Sequence, residues 1–413
     1  MQGGQELDSG DSLSAFRDRF VIEDPNLIYL DGNSLGRLPK GTVEAVDRVM
    51  SQWGSSLVSG WREWYDLPQR LGAKIARLIG AEADEVVVCD STSVNLFKLT
   101  VAALQVQADR PKVVTDDANF PSDVYVTVGA AVLTGKTEFD VVAVEDDVAA
   151  ATSRIEAKLD GQTAVLTLSH ALFRSGYVHD MARLTGGAHE VGALALWDLS
   201  HSVGALPIDL NHCGVDLAVG CTYKYVNGGP GAPAFLFVRR ELQERMRTPI
   251  WGWFGQRNAF DFSLDYEPAA GVARFLAGTP PILSMAAVEP GIDLLLEAGL
   301  DRLREKSVAQ TSFLIELVDE VLVPLGFQMI TPRDVNRRGS HVSVTHPEAW
   351  RINQALIAEM KVIPDFRAPN VIRLGVTPLY TTFQELEEAI DRIRCVVTER
   401  RFEKYDVAKS AVT

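Results

Sequence analysis

The chain has 413 residues, 46% hydrophobic and 23% charged, a composition that excludes a disordered chain and allows two or three folded domains. Its formal net charge of −15 repels phosphate backbones and anionic lipid surfaces, so neither nucleic acid nor membrane is an expected partner. The four cysteines, Cys89, Cys213, Cys221 and Cys395, form no CxxC and no zinc-ligand spacing. No signal-peptide pattern opens the chain and no apolar run approaches a bilayer span, so the expected compartment is the reducing cytoplasm.

Taken in chain order, residues 1–40 read as an N-terminal arm, with a short helix around 13–20 and a brief strand at 28–30. Helical patterns follow over 39–57 and 68–79. Short β-branched or apolar runs then recur at 86–89, 112–115, 139–144, 164–168, 193–197, 217–219 and 234–238. Helical stretches at 94–106, 121–133, 148–159 and 181–191 alternate with them. This rhythm predicts βα units, hence an α/β large domain over 41–281 built on a mostly parallel seven-stranded sheet covered on both faces. Two long helices, 282–298 and 300–323, lead into a smaller α+β domain over 326–413. Its strands are expected at 327–330, 341–344 and 371–374, its helices at 348–360 and 383–400.

Four short stretches could carry chemistry. Asp198 ends the strand 193–197, and ligands of open α/β sheets sit at the carboxyl ends of strands. An aspartate there also serves as a turn former or helix cap. Lys224 lies between Tyr223 and Tyr225, just before the glycine-rich turn Asn227-Gly228-Gly229-Pro230-Gly231 that lets backbone approach a ligand closely. Most loop lysines are simply solvated, but an imine-forming lysine must be partly desolvated, since only the neutral amine attacks. The two residues together supply what pyridoxal 5′-phosphate (PLP) needs: an acid beside the pyridine nitrogen and a lysine for the Schiff base. Asp90-Ser91-Thr92-Ser93 opens a helix and suits a phosphate as well as it suits a plain cap. Arg373, in the strand 371–374, can grip a carboxylate with a two-pronged fork or form a structural ion pair.

Gly32-Asn33-Ser34-Leu35-Gly36 matches the GxSxG elbow of serine hydrolases, but an elbow needs a helix directly after it and here Pro39 intervenes. No GxGxxG, no P-loop and no HExxH is present, and no metal is expected.

Longer stretches carry a family resemblance. Asp198-x-x-His201, followed by Cys221-Thr-Tyr-Lys-Tyr-Val-Asn-Gly-Gly-Pro-Gly231, resembles kynureninase, a PLP-dependent enzyme of fold type I. Tyr29-Leu-Asp-Gly-Asn-Ser-Leu-Gly36, Asn119-Phe-Pro-Ser-Asp123, Arg338-Gly-Ser-His341 and Thr377-Pro-Leu-Tyr380 resemble it too, most closely its bacterial members. The resemblance implies hydrolysis of L-kynurenine to anthranilate and L-alanine. It implies that Lys224 forms the Schiff base, that Asp198 pairs with the pyridine nitrogen with Asp123 close by, and that Phe120 stacks on the ring within the segment that includes Pro121 and Ser122. Thr92, Ser93, Tyr223 and His201 would surround the phosphate and cofactor edge, Ser169 the cofactor wall. Trp253 and Thr279 would come from the neighbouring subunit of a homodimer. Arg373 would hold the substrate carboxylate; Asn33, Ser34, Trp64 and His341 would line the substrate end. Tyr223 is the candidate acid for Cβ. Vertebrate members have asparagine where this chain has Thr279, which implies a preference here for kynurenine over 3-hydroxykynurenine. Two departures stand out: Leu172 replaces a polar residue in the loop after Ser169, and the segment 60–67 around Trp64 is shorter than in relatives. A related PLP enzyme, such as a cysteine desulfurase or aminotransferase, and a non-catalytic homologue are the alternatives. The first lacks a cysteine in a mobile site loop, and the second would not retain Lys224, Asp198 and Arg373 together.

Overall fold

The computed structural model describes residues 3–136, 138–144 and 147–406, so residues 1–2 of the expected arm and 407–413 of the expected C-terminal domain lie outside the described residues. Strand β1 (Ile28–Tyr29) belongs to the arm. Strands β2 (Val86–Val88), β3 (Lys112–Asp116), β4 (Glu138–Val142), β5 (Thr163–Ser169), β6 (Leu194–Asp198), β7 (Leu217–Gly220) and β8 (Phe235–Val238) form a seven-stranded sheet in the order β2-β8-β7-β6-β5-β3-β4. Strand β8 runs antiparallel to β2 and β7; every other pairing is parallel. The strands β5 to β8 are buried along their whole length, because helices cover both faces. Alternation along β6 shows it: Ala195 and Trp197 join one apolar cluster with Ile79 and Val288, while Leu194 and Leu196 join another with Leu99 and Phe275.

Beyond the linking helices lie β9 (Gln328–Met329), β10 (His341–Thr345), β11 (Val362–Ile363), β12 (Asp365–Arg367) and β13 (Val371–Gly375). A four-stranded antiparallel sheet runs β12-β13-β10-β9. Strand β11 pairs in parallel with β1, so Ile28 and Leu30 of the arm share a core with Val342, Ile372 and Leu386. Asp8 also caps the helix Phe383–Thr398, accepting from the backbone N–H groups of Phe383 (2.8 Å) and Gln384 (2.9 Å). The arm is thus packed into the C-terminal part of the chain.

Differences from the expected elements have local causes. The helix expected at 94 starts at Thr92, because Ser91 caps it by accepting from Val94 N–H at 3.4 Å. The helix expected over 300–323 is α-helical over Leu300–Leu317, loosens to a π turn over Val318–Leu322 and ends at the Val323–Leu325 turn, where Pro324 has no N–H to continue it. Strands β11 and β12 were not expected. Among the described residues no helix is long and apolar enough to cross a membrane.

Candidate active site

The carboxyl ends of the parallel strands meet at one rim. Ser169 ends β5 and Asp198 ends β6; Lys224 follows β7, Phe120 follows β3, and Asp90 to Ser93 follow β2. Asp198 is oriented by Ser200, whose N–H (2.9 Å) and O–H (2.6 Å) both donate to its Oδ1. Asp123, in the first turn of the helix Pro121–Leu133, is hydrogen-bonded to Asp198. Burial and then the charge of Asp198 push the Asp123 carboxyl well above the usual carboxylate range, so it keeps its proton.

Lys224 Nζ lies 2.9 Å from His201 Nε2. Burial first, then the cations Lys224 and Arg373, hold His201 far below its ordinary value. A neutral His201 therefore accepts at Nε2 and carries its proton on Nδ1. The ring of His341 is 5.8 Å away and is held neutral by the same causes. Lys224 Nζ also sits 5.9 Å from the Phe120 ring centre and 6.0 Å from that of Tyr223. The neighbouring Cys221 sulfur and then burial push the Tyr223 hydroxyl up, so it remains a donor. Ser169 Oγ donates to Asn119 Oδ1 at 2.6 Å, which fixes the turn leading into Phe120. Ser93 Oγ and Ser122 Oγ are 3.3 Å apart, so the N-termini of two helices converge here, with Thr92 and Pro121 at their first turns. A cleft of about 570 Å³ between Asp90, Ser91, Tyr223 and Thr279 opens onto this end.

Opposite lies the end built by the arm and the C-terminal sheet. Arg373 is fully buried and bonded to Asp365, to the Phe173 carbonyl (2.5 Å) and to Ser34 Oγ (3.0 Å). Arg367 approaches the same groups, with Nε 3.1 Å from Asp365 and Nη2 3.3 Å from Ser34 Oγ. Asn33 is wholly buried beside Gly375, where an added Cβ would come within 2.0 Å of its Oδ1. Gly36 is needed for a similar reason: its N–H donates to the Tyr223 carbonyl at 2.8 Å, and a Cβ would lie 2.4 Å from the Lys224 carbonyl. The GxSxG match is therefore a docking loop, and its Ser34 accepts from two arginines.

Three expected residues stand apart. Trp64 folds back over Gly60, gives its Nε1 hydrogen to Gln52 (3.0 Å) and packs with Val49 and Ala286. Trp253 stacks among Phe254, Phe260 and Phe262. Thr279 reaches the cleft wall and no further. Sequence reasoning missed Asp365 and Arg367. The readable signal was Ala368-Pro369-Asn370, a turn between two apolar runs that makes β12 and β13 a hairpin and sets Asp365 opposite Arg373.

The residues fit PLP. Asp123 Oδ2, His201 Nδ1, His341 Nε2 and both polar atoms of the Asn33 amide are buried without partners around one crevice. Native proteins rarely leave such groups unsatisfied, so the crevice is shaped for a polar ligand. Lys224, Asp198 and the converging helix N-termini would meet its aldehyde, its ring nitrogen and its phosphate. Among the described residues no group of three or more His, Cys, Asp or Glu could hold a metal ion.

A mostly parallel sheet with antiparallel β8, a lysine after β7 and an acid ending β6 define a PLP-dependent enzyme of fold type I. Solved structures agree on the fold: a C-DES variant with glycine covalently linked to its PLP cofactor gives a TM-score of 0.79 at 18% identity, covering 90% of this chain and 97% of that one. The cysteine desulfurase CsdA of Escherichia coli gives 0.78 at 17% identity, covering 95% and 98%. Residues 303–393 match the kynureninase C-terminal domain family. The kynureninase of Pseudomonas fluorescens is 45% identical over 393 residues, 93% of this chain and 92% of that protein. That of Burkholderia mallei is 40% identical over 98% of both chains. The chain belongs to the kynureninase family.

Proposed function

We propose that the residues gathered at this rim carry out the hydrolytic cleavage of the Cβ–Cγ bond of L-kynurenine, yielding anthranilate and L-alanine. The observation that carries the reading is Lys224, held by a neutral His201 at the strand ends where Asp198 and Asp123 also sit. Bound PLP supplies a conjugated ring that takes up the electron pair left at the substrate's Cα.

The chain's own groups do the rest. Lys224 would hold the cofactor and move the proton at the substrate's Cα, with His201 keeping its amine directed. Asp198 holds the proton on the pyridine nitrogen, and a protonated Asp123 spares the site a second negative charge. Phe120 would cover one face of the ring, and Ser169 would line the cofactor wall. Thr92, Ser93, Ser122 and Tyr223 face the phosphate end. Arg373 binds the α-carboxylate, with Ser34, Asn33 and His341 lining that end. Tyr223 keeps its hydroxyl proton and delivers it to Cβ after water has added to the γ-carbonyl. Thr279, shorter than asparagine, favours L-kynurenine over the 3-hydroxylated substrate. The unpaired state of all four cysteines fits the cytoplasm. Protein mixed with PLP and L-kynurenine should release anthranilate, followed by its fluorescence; a PLP-loaded protein that releases none refutes the activity.

The assembly is a homodimer with shared sites. Trp253 and Thr279 are the residues that the other subunit contributes, and the apolar surface beside Trp253 supports this: Phe260, Phe262 and Leu264 are 61%, 74% and 102% exposed. Mixing Lys224→Ala chains with Trp253→Ala chains should restore part of the activity, because one site in each mixed dimer is intact. No recovery between subunits shown to exchange would place both residues in one chain's site.

A further inference from the structure

Lys98 is a fully buried lysine in the second turn of the helix Thr92–Val106, outside every role assigned above. An ammonium group has three hydrogens, and all three are used. Nζ donates to Asp90 Oδ2 (2.6 Å), to the Phe275 carbonyl (2.7 Å) and to Cys89 Sγ (3.5 Å). Its principal partner is unusual too. Asp90 has φ +47°, in the left-handed region that residues with a side chain seldom occupy, and its carbonyl accepts from Ala234 N–H at 2.8 Å. That turn swings the chain from the end of β2 into Ser91, Thr92 and Ser93. Asn95 steadies it from below, donating to the Cys89 carbonyl at 2.7 Å.

The bond to the Phe275 carbonyl has a longer reach. Phe275 ends the turn Gly271–Phe275, which runs on to Thr279, and Ala277 in between accepts from Phe254 N–H at 3.1 Å. One ammonium group therefore ties the Asp90 turn to the segment that carries Thr279. Asp90 and Thr279 line the same cleft. A buried lysine left without its carboxylate is strongly disfavoured, so the pair holds both pieces in one arrangement.

We propose that Lys98 is a positioning residue for the cofactor's phosphate: through Asp90 it holds the left-handed turn that aims the loop 90–93 into the cleft. The proposal rests on the reading of that loop as the phosphate site. It predicts a loss confined to ligands that carry the phosphate.

The test titrates cofactor-free protein with PLP and, separately, with pyridoxal, which has the aldehyde and ring but no phosphate, following absorbance and quenching of protein fluorescence. Lys98→Met and Asp90→Ala should each weaken PLP by about tenfold or more, the range of a lost charge-assisted bond, and leave pyridoxal unchanged. Asp90→Asn, which tolerates positive φ and still offers the lysine an oxygen but no charge, should weaken PLP less than Asp90→Ala. Asp90 has a side chain about 30% exposed, so Asp90→Ala carries the test if Lys98→Met does not fold. Equal weakening of PLP and pyridoxal, or no weakening of PLP, overturns the positioning role. A wild-type protein that binds pyridoxal as tightly as PLP instead refutes the phosphate reading on which the proposal stands.

Discussion

At the cofactor end of the crevice, Lys224 leans on a neutral histidine, Asp123 retains a proton beside Asp198, and buried polar atoms lack partners. At the end built by the arm and the C-terminal sheet, Arg373 commits most of its donors to Asp365, the Phe173 carbonyl and Ser34, while Arg367 shares the same carboxylate. Asp123 and His201 at the first end, and Asn33 and His341 at the second, keep buried polar atoms without partners, whereas the guanidinium of Arg373 is supplied with them. The difference teaches where each kind of work is done. Lys224, Asp198 and Asp123 sit in an environment that a ligand would complete, whereas Arg373, the proposed carboxylate clamp, is locked in place beforehand, which would lower the ordering cost of binding.

The largest effect comes from emptying the cofactor end. Lys224→Ala should abolish turnover while PLP still binds loosely at Asp198 and the phosphate loop. Borohydride reduction of the wild type, followed by peptide mapping, should place the adduct on Lys224; an adduct on another lysine breaks the comparison at its root. At the other end, Asp365→Asn should act on the fold. It leaves Arg373 buried without its counter-charge and should cost about 3–5 kcal/mol in denaturant unfolding. A loss below about 1 kcal/mol, the level of an exposed pair, would mean that water reaches the clamp.

A smaller, pH-dependent effect sharpens the contrast. Burial and then Asp365 raise the Asp31 carboxyl from 3.8 to about 6. The folded state thus binds this proton more tightly than the unfolded state, so the contribution is fully present below the ordinary value and is lost as pH rises through the raised one. Asp31→Asn removes that loss. Its stability relative to wild type should climb by about 2 kcal/mol between pH 4 and pH 7. Parallel stability curves would show that Asp31 carries no such burden.

The legible parts of this molecule are those where local chemistry and tertiary structure agree. The helix Pro121–Leu133 lies where expected because Pro121 suits a first turn. The strands β5 to β8 are apolar runs buried on both faces, and such runs leave a plain mark. Lys224 and Asp198 stand out because a lysine and an acid at neighbouring strand ends are the residue types that PLP needs. The strands β11 and β12 left little trace, since two or three residues beside Pro364 carry no periodicity. Asp365 therefore stayed invisible, although it decides how Arg373 is held. Lys98 was hidden for a different reason: at a helical position inside an apolar stretch, nothing in the local sequence tells which carboxylate and which carbonyl will meet it.

The seating of the arm has a consequence for the order in which the protein can be completed. Ile28 pairs with Val362, Leu30 donates to Ile363 and accepts from Gly375, and the loop that follows rests on the Tyr223–Lys224 turn. Residues 28–30 must therefore wait for residues 361–375, more than 300 positions later, before they find their partners. Until then the central sheet can assemble around Lys224, but the crevice has neither its Asn33–Ser34 wall nor its arginines. A chain lacking β11 to β13 would keep Lys224 after β7 but lose both arginines proposed to select the substrate.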